Sequence, residues 1–202
     1  MGKSGRGLSL AFFFIFTFFP PLFFPLAADD GGGLVTGGFP VITRLDSRDT
    51  GFAQFIADVE HNRMRLFGRE REIPFAFGEF LTVYQYTPVN GENIFTLAAR
   101  CNIPYAAIAS LNRLDNPVML DAGMPLLLPS CPGIFLPALP RSDFENLLAA
   151  ARISSRDNEA AQINVNRRGG EPETFYFFPG ADFNSTERIF FLNTGFRFPL
   201  RN

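Results

Sequence analysis

Histidine is nearly absent from this chain: His61 is the only one in 202 residues. A catalytic zinc needs about three protein ligands and an open position, so a lone histidine does not furnish such a centre. Cysteine is scarce too. Cys101 and Cys131 are the only two and form no C-x-x-C pair, which leaves a redox dithiol and a thiolate zinc site unsupported. Lysine occurs once, as Lys3, and the formal charge is −2 with no basic block. A nucleic-acid backbone is therefore not an expected partner. The glycine run Gly31-Gly32-Gly33 is followed by no Lys-Ser/Thr, which removes phosphate-loop chemistry. No cofactor is expected.

What is abundant sits first at the N-terminus. Residues 1–28 carry Lys3 and Arg6, then an uncharged apolar run from Leu8 to Phe24, then Leu26-Ala27-Ala28 as a small-residue cleavage site. This is the pattern of a signal peptide. The competing reading is a retained anchor, against which Pro20, Pro21 and Pro25 would break a spanning helix. Cleavage predicts an exported protein, periplasmic or wall-associated, with no stable membrane span. It also removes Lys3 and Arg6, leaving only arginines as positive side chains and a more acidic balance.

Residues 29–78 form an N-terminal segment. Asp29 to Gly38 reads as a flexible glycine-rich lead. Phe52, Phe55, Ile56 and Val59 then fall at i, i+3, i+4 and i+7, extended by Met64 and Phe67. The spacing predicts an amphipathic helix over about Thr50 to Phe67, capped by Asp49 or Thr50. Its other face mixes Asp58, Glu60, Arg63 and Arg65, which favours docking on the protein over lying on a membrane. His61 lies on this helix as an exposed residue.

Residues 79–131 carry the most readable pattern. LTVYQYT and GMPLLLP read as short strands. Between them Ile94, Leu97, Ala98 and Cys101 mark one helix face, and Pro104 opens a second helix buried through Ile108 and Leu111 and stopped at Asn112. Residues 132–141, PGIFLPALP and the arginine after it, read as a proline-rich linker or strap. In 142–202, Phe144, Leu147, Leu148 and Ala151 give a helix capped by Ser142. AQINVN, TFYFF, RIFFL and FRFPL then read as strands parted by turn signals. The fold class is α+β, a small βααβ module with flanking amphipathic helices and a β-rich tail. Asn184-Ser185-Thr186 also fits a glycosylation sequon, a triplet common by chance.

Tyr86, Gly91-Glu92-Asn93-Ile94, Leu97-Ala98, Asn102-Ile103-Pro104, Leu111-Asn112, Leu120, Gly123, Leu126, Leu128 and Pro129 together resemble the LysM module. Two positions depart from the family pattern: Pro88 replaces an apolar strand residue and Asn93 a threonine. The resemblance implies binding of N-acetylglucosamine glycans, above all peptidoglycan, in a shallow groove between two loops. One wall would be Asn90, Gly91, Glu92, Asn93 and Ile94, the other Arg113, Leu114, Asp115, Asn116 and Pro117. Gly91 would admit close backbone approach, and Ile94 and Leu114 would cover the acetamido methyl and the apolar sugar face. Residue by residue, capping and turn roles compete with sugar contact. With one module and no tryptophan, affinity for a short glycan should be weak and retention should rest on repeated sites.

Cys101 and Cys131 flank the module. They would pair in an oxidising compartment, or Cys101 would serve as a small buried hydrophobe; spacing leaves both open. The C-terminal stretch FYFFPGADFNSTERIFFLNTGFRFPLRN looks like the segment leading into the catalytic domain of lysostaphin-type zinc endopeptidases. The H-x-x-x-D and H-x-H motifs of that family do not occur in this sequence. Three readings follow: a non-catalytic peptidoglycan-binding protein that also meets envelope proteins, the non-catalytic portion of a murein endopeptidase, and a surface adhesin.

Overall fold

A computed structural model describes residues 33–35, 38–68, 80–153, 160–167 and 170–193. Residues 1–28 and the FRFPL run lie outside the described residues. In chain order the elements are β1 (Gly33–Val35), β2 (Val41–Ile42), α1 (Thr50–Phe67), β3 (Val83–Tyr86), α2 (Ile94–Cys101), α3 (Tyr105–Leu111), β4 (Leu126–Pro129), β5 (Gly133–Pro137), α4 (Asp143–Arg152), β6 (Ala161–Val165), β7 (Glu173–Pro179) and α5 (Ser185–Asn193). Both helices and two small sheets are present, so the α+β class holds. The described residues, Gly33 to Asn193, belong to one compact unit.

The first sheet has the order β2-β3-β4, with β2 parallel and β4 antiparallel to β3. β3 is thus a central strand. Pro88 lies beyond its end at Tyr86, so no ladder hydrogen bond is lost. Both faces of this sheet are covered. Tyr84, Tyr86, Leu126 and Leu128 enter one apolar cluster, while Val83 and Leu127 enter the other. Alternation along each strand sends successive side chains to opposite faces.

α1 spans the residues its spacing predicted, but its buried stripe runs Phe52, Phe55, Val59, Asn62, Leu66. Met64 and Phe67, expected in that stripe, are exposed instead. A polar residue at Asn62 hides the true stripe. Its amide donates to the carbonyls of Phe80 and Ser130 and to the Ser130 hydroxyl, so burial leaves it satisfied. Asp49 caps the helix through the Phe52 amide at 2.8 Å. Hydrogen bonds from the Thr43 hydroxyl and the Phe52 amide hold the Asp49 carboxyl down at about 2. On α1's polar face Asp58 accepts from the Tyr84 hydroxyl at 2.5 Å, and His61 is exposed.

The second sheet has the order β1-β6-β7-β5. Two corrections arise here. Within the glycine-rich lead, Gly33–Val35 is a strand parallel to β6. The proline-rich 132–141 is not a linker: Gly133–Pro137 is β5, buried at every residue and antiparallel to β7. Pro132 and Pro137 sit outside and at the end of it, where missing N–H groups cost little. Gly133 is required by close approach, since an added Cβ would meet the Phe178 carbonyl at 2.5 Å.

RIFFL, expected as a strand, belongs to helix α5. The overriding signal is a reciprocal capping box. Asn184 Oδ1 accepts from the Glu187 amide and Glu187 Oε2 accepts from the Asn184 amide, each at 2.9 Å. The Asn184 sequon triplet is thus the start of a helix. Glu187 is fully buried and is met by the Arg152 guanidinium at 2.5 and 3.0 Å. Phe144, Phe183, Phe190 and Phe191 pack ring against ring, edge-on, tilted or stacked, and Tyr105 of α3 stacks on Phe191 at 5.8 Å.

α3 is where the two sheets meet. Ala106 to Leu111 are all buried, not only the face of Ile108 and Leu111. Alanines at 106, 107 and 109 let neighbours approach on every side. Ser110 donates to the Ala106 carbonyl and accepts from the Phe135 amide at 3.0 Å, tying the helix to β5.

The cysteines are free thiols, both buried, one in each apolar cluster. The disulfide reading is not realised in this structure. Burial pushes both thiols up to about 12.

Candidate functional site

α2 begins at Asn93, whose Oδ1 accepts from the amides of Phe95 and Thr96 at 3.0 Å while Thr96 Oγ1 accepts from the Asn93 amide at 3.1 Å. The capping box that a threonine would make is made here by asparagine. Before it, Asn90 and Gly91 are exposed in a turn, and Gly91 has φ +87 with open space where a Cβ would stand. Glu92 turns inward. It accepts from the Tyr86 hydroxyl at 2.7 Å and the Val89 amide at 3.0 Å, and pairs with Arg100 at 3.2 Å. Burial, and then Glu92, raises the Tyr86 hydroxyl above its ordinary pKa.

α3 ends at Asn112, whose side chain copies a strand. It donates to the carbonyls of Ile108 and Leu127 and accepts from the Leu127 amide at 2.8 Å, so helix end and β4 are fixed together. Arg113 follows in the left-handed region at φ 58, a conformation that surrounding contacts must hold in a residue with a side chain. The hold is a fork. Its Nε and Nη2 donate to Glu145 at 2.7 Å each, and Nη1 to Glu173 at 2.9 Å. Asp115 accepts from the Ser142 hydroxyl at 2.6 Å, and Asn116 caps the short 3-10 turn Pro117–Met119 through the Val118 amide. Burial pushes the Glu145 carboxyl up, but Arg113 and the amides of Arg141 and Ser142 more than offset it, so its pKa lies below the usual range.

Between the two loops lies a cleft of about 210 Å³. Pro88 lines it from the first loop, and Leu114, Leu120, Asp121, Met124 and Pro125 from the second, with Asn112, Leu126 and Arg167. The loops touch directly: the Gly123 amide donates to the Pro88 carbonyl at 2.9 Å. Gly123 has φ +85, which suits glycine.

Of the ten residues expected to form the groove, Leu114 is the one that lines this cleft. Ile94 is fully buried in the core, so its side chain does not cover a sugar methyl. Glu92, Arg113, Asp115 and Asn116 spend their side-chain groups on the contacts above, and Pro117 opens the 3-10 turn. Asn90, Gly91 and Asn93 stay exposed at the first loop. The second wall extends past Pro117 through Pro125. Gly123, already part of the pattern, was the signal for that extension. Arg167 comes from beyond β6, outside the module, and no short-range pattern announces it.

Residues 86–129 match the family model of the LysM domain. No curated protein and no solved structure matches the chain. A LysM domain thus occupies this stretch. Such domains bind glycan polymers of the peptidoglycan or chitin type and are not catalytic.

Proposed function

We propose that the chain is an exported, non-catalytic protein that holds peptidoglycan through its single LysM domain. The observation carrying this reading is the cleft between the loop after β3 and the loop after α3, within or beside residues 86–129. Its walls are apolar at Pro88, Leu114, Leu120 and Met124, suited to an acetamido methyl and a pyranose face. A volume of about 210 Å³ is below the usual ligand-pocket range. It suits one ring of a polymer, not an enclosed small molecule. Weak contact per ring then becomes retention through many sites on one strand. The N-terminal pattern of residues 1–28 supports export to where that polymer lies.

The test is a pull-down on purified sacculi, with N-acetylglucosamine oligomers as competitors and Met124→Asp as the comparison. Met124 is 62% exposed, so the substitution should leave the fold intact while placing charge on an apolar wall. Retention that the oligomers compete away and the variant loses is the expected result. Folded wild type that washes off the sacculi would end this reading.

A further inference from the structure

Arg167 brings positive charge from outside the LysM domain into a cleft walled mostly by apolar side chains, with Asn112 and Asp121 as its other polar residues. Its position is fixed: Nη2 donates to the Leu111 carbonyl at 2.7 Å, at the C-terminal end of α3. Nη1 makes no hydrogen bond with any described residue. Among the described residues the carboxylate that Arg167 pairs with is Glu173, 3.5 Å from Nε. That carboxylate is shared, lying 2.9 Å from Arg113 and 3.2 Å from Arg141. Arg113 is also satisfied by Glu145. Three guanidinium groups therefore face two carboxylates, and the one held at the longest distance is the one that lines the cleft.

Asp121 also lines the cleft, but it stands exposed on the loop, where water and salt screen its charge. Arg167 is only 31% exposed, and burial lowers its pKa from the ordinary guanidinium value. A charge so placed is screened less and gains more from an anionic neighbour.

We infer that the cleft selects glycans bearing a carboxylate next to the N-acetylated sugar, with Arg167 as the residue that reads it. This rests on the cleft being the glycan site. A guanidinium matches a carboxylate in geometry and charge, whereas a neutral polymer of N-acetylglucosamine offers it no anion. Both the acid of the peptidoglycan sugar itself and the acids of an attached peptide have this chemistry.

The test compares binding of the full chain to three probes by calorimetry. These are a disaccharide of N-acetylglucosamine and a lactyl-acid sugar, the same disaccharide with its acid converted to a carboxamide, and the disaccharide carrying a short acidic peptide. At least one acid form should bind about tenfold more tightly than the carboxamide, as a charge-assisted hydrogen bond implies. The acid that does so identifies the source. That ratio should fall towards one in Arg167→Met and persist in Arg141→Gln, whose side chain is 68% exposed and does not line the cleft. The ratio should also shrink with added salt in the wild type, a readout that does not depend on the variant's folding. Equal binding of acid and carboxamide, or a preference that survives Arg167→Met, overturns the inference while leaving the glycan site standing. Folded wild type that binds none of the probes overturns the inference, while the glycan site itself stands or falls with retention on sacculi.

Discussion

The two helices of the LysM domain are surrounded very differently. α2 buries Ile94, Leu97, Ala98 and Cys101 and leaves its other face in water, as an amphipathic surface helix does. α3 is enclosed, with β4 on one side and β5 of the second sheet on another. The same contrast runs through the loops that begin and end the pair. The loop before α2 holds itself through a capping box and Glu92. The loop after α3 is held from outside, by Glu145 of α4, Glu173 of β7 and Ser142. One wall of the cleft is therefore local in sequence, and the other is built by residues from up to 60 positions away.

If that contrast is right, damage to the second layer should be felt in the domain. The largest effect should come from Glu187→Ala, which leaves Arg152 buried without its partner. Removing one member of a buried pair costs about 3–5 kcal/mol. Chemical denaturation should show it as a lower midpoint. Because Phe191 stacks on Tyr105 of α3, the whole compact unit should unfold in one transition. Two separate transitions would show that the LysM domain stands without the second layer.

Next in size is Glu145→Gln, which removes one of the two charges facing Arg113 and leaves its left-handed turn held by Glu173. Hydrogen bonds to charged groups contribute about 1.5–3 kcal/mol, and a loss of that order is expected in the denaturation midpoint. The sign with pH follows from Glu145 titrating below its ordinary value of 4.5. Its contribution is complete above 4.5 and is lost as pH falls through the lower folded-state value. The gap between wild type and variant should close in that acid range. A gap that persists there would mean packing, not charge, holds the loop.

Asn93→Ala tests the other wall, where the expected cost is only about 1 kcal/mol, that of a helix cap. Among the described residues the hydrogen bonds of Asn93 stay within the domain, so the loss should stay small; a cost matching Glu145→Gln would erase the contrast between the walls.

The same division decides what the sequence made legible. α1, α2, α3 and α4 follow from apolar spacing and local caps, since Asp49, Asn93 and Ser142 act within a few residues. Asn62 broke the apolar rule because its partners, Phe80 and Ser130, are distant in sequence. β1, β2 and β5 escaped notice because their partners β6, β3 and β7 lie far along the chain or across a helix. RIFFL has strand composition, but Asn184 and Glu187 write a helix start around it. The cleft divided the same way: a groove between two loops was expected from the family resemblance, but of the ten residues expected to form it only Leu114 lines this cleft, and Arg167 required the fold to be placed.

The finest probe of the contrast is already in the chain. Cys101 closes α2 in one apolar cluster, and Cys131 lies beside β5 in the other. Both thiols are fully buried, and burial raises both to about 12, so a thiol reagent reaches either only after local opening. In single-cysteine variants, made as Cys131→Ala and Cys101→Ala, native-state labelling times the opening around each site. α2 has solvent on one face and a self-contained cap, so Cys101 should react faster. Cys131 should lag until the unit unfolds as a whole, because both sheets cover it. Two thiols released by denaturant without reductant would accompany this, as free cysteines require. Equal labelling rates would place both helices in one cooperative unit, and the enclosure of α3 would then be a matter of packing with no difference in local stability.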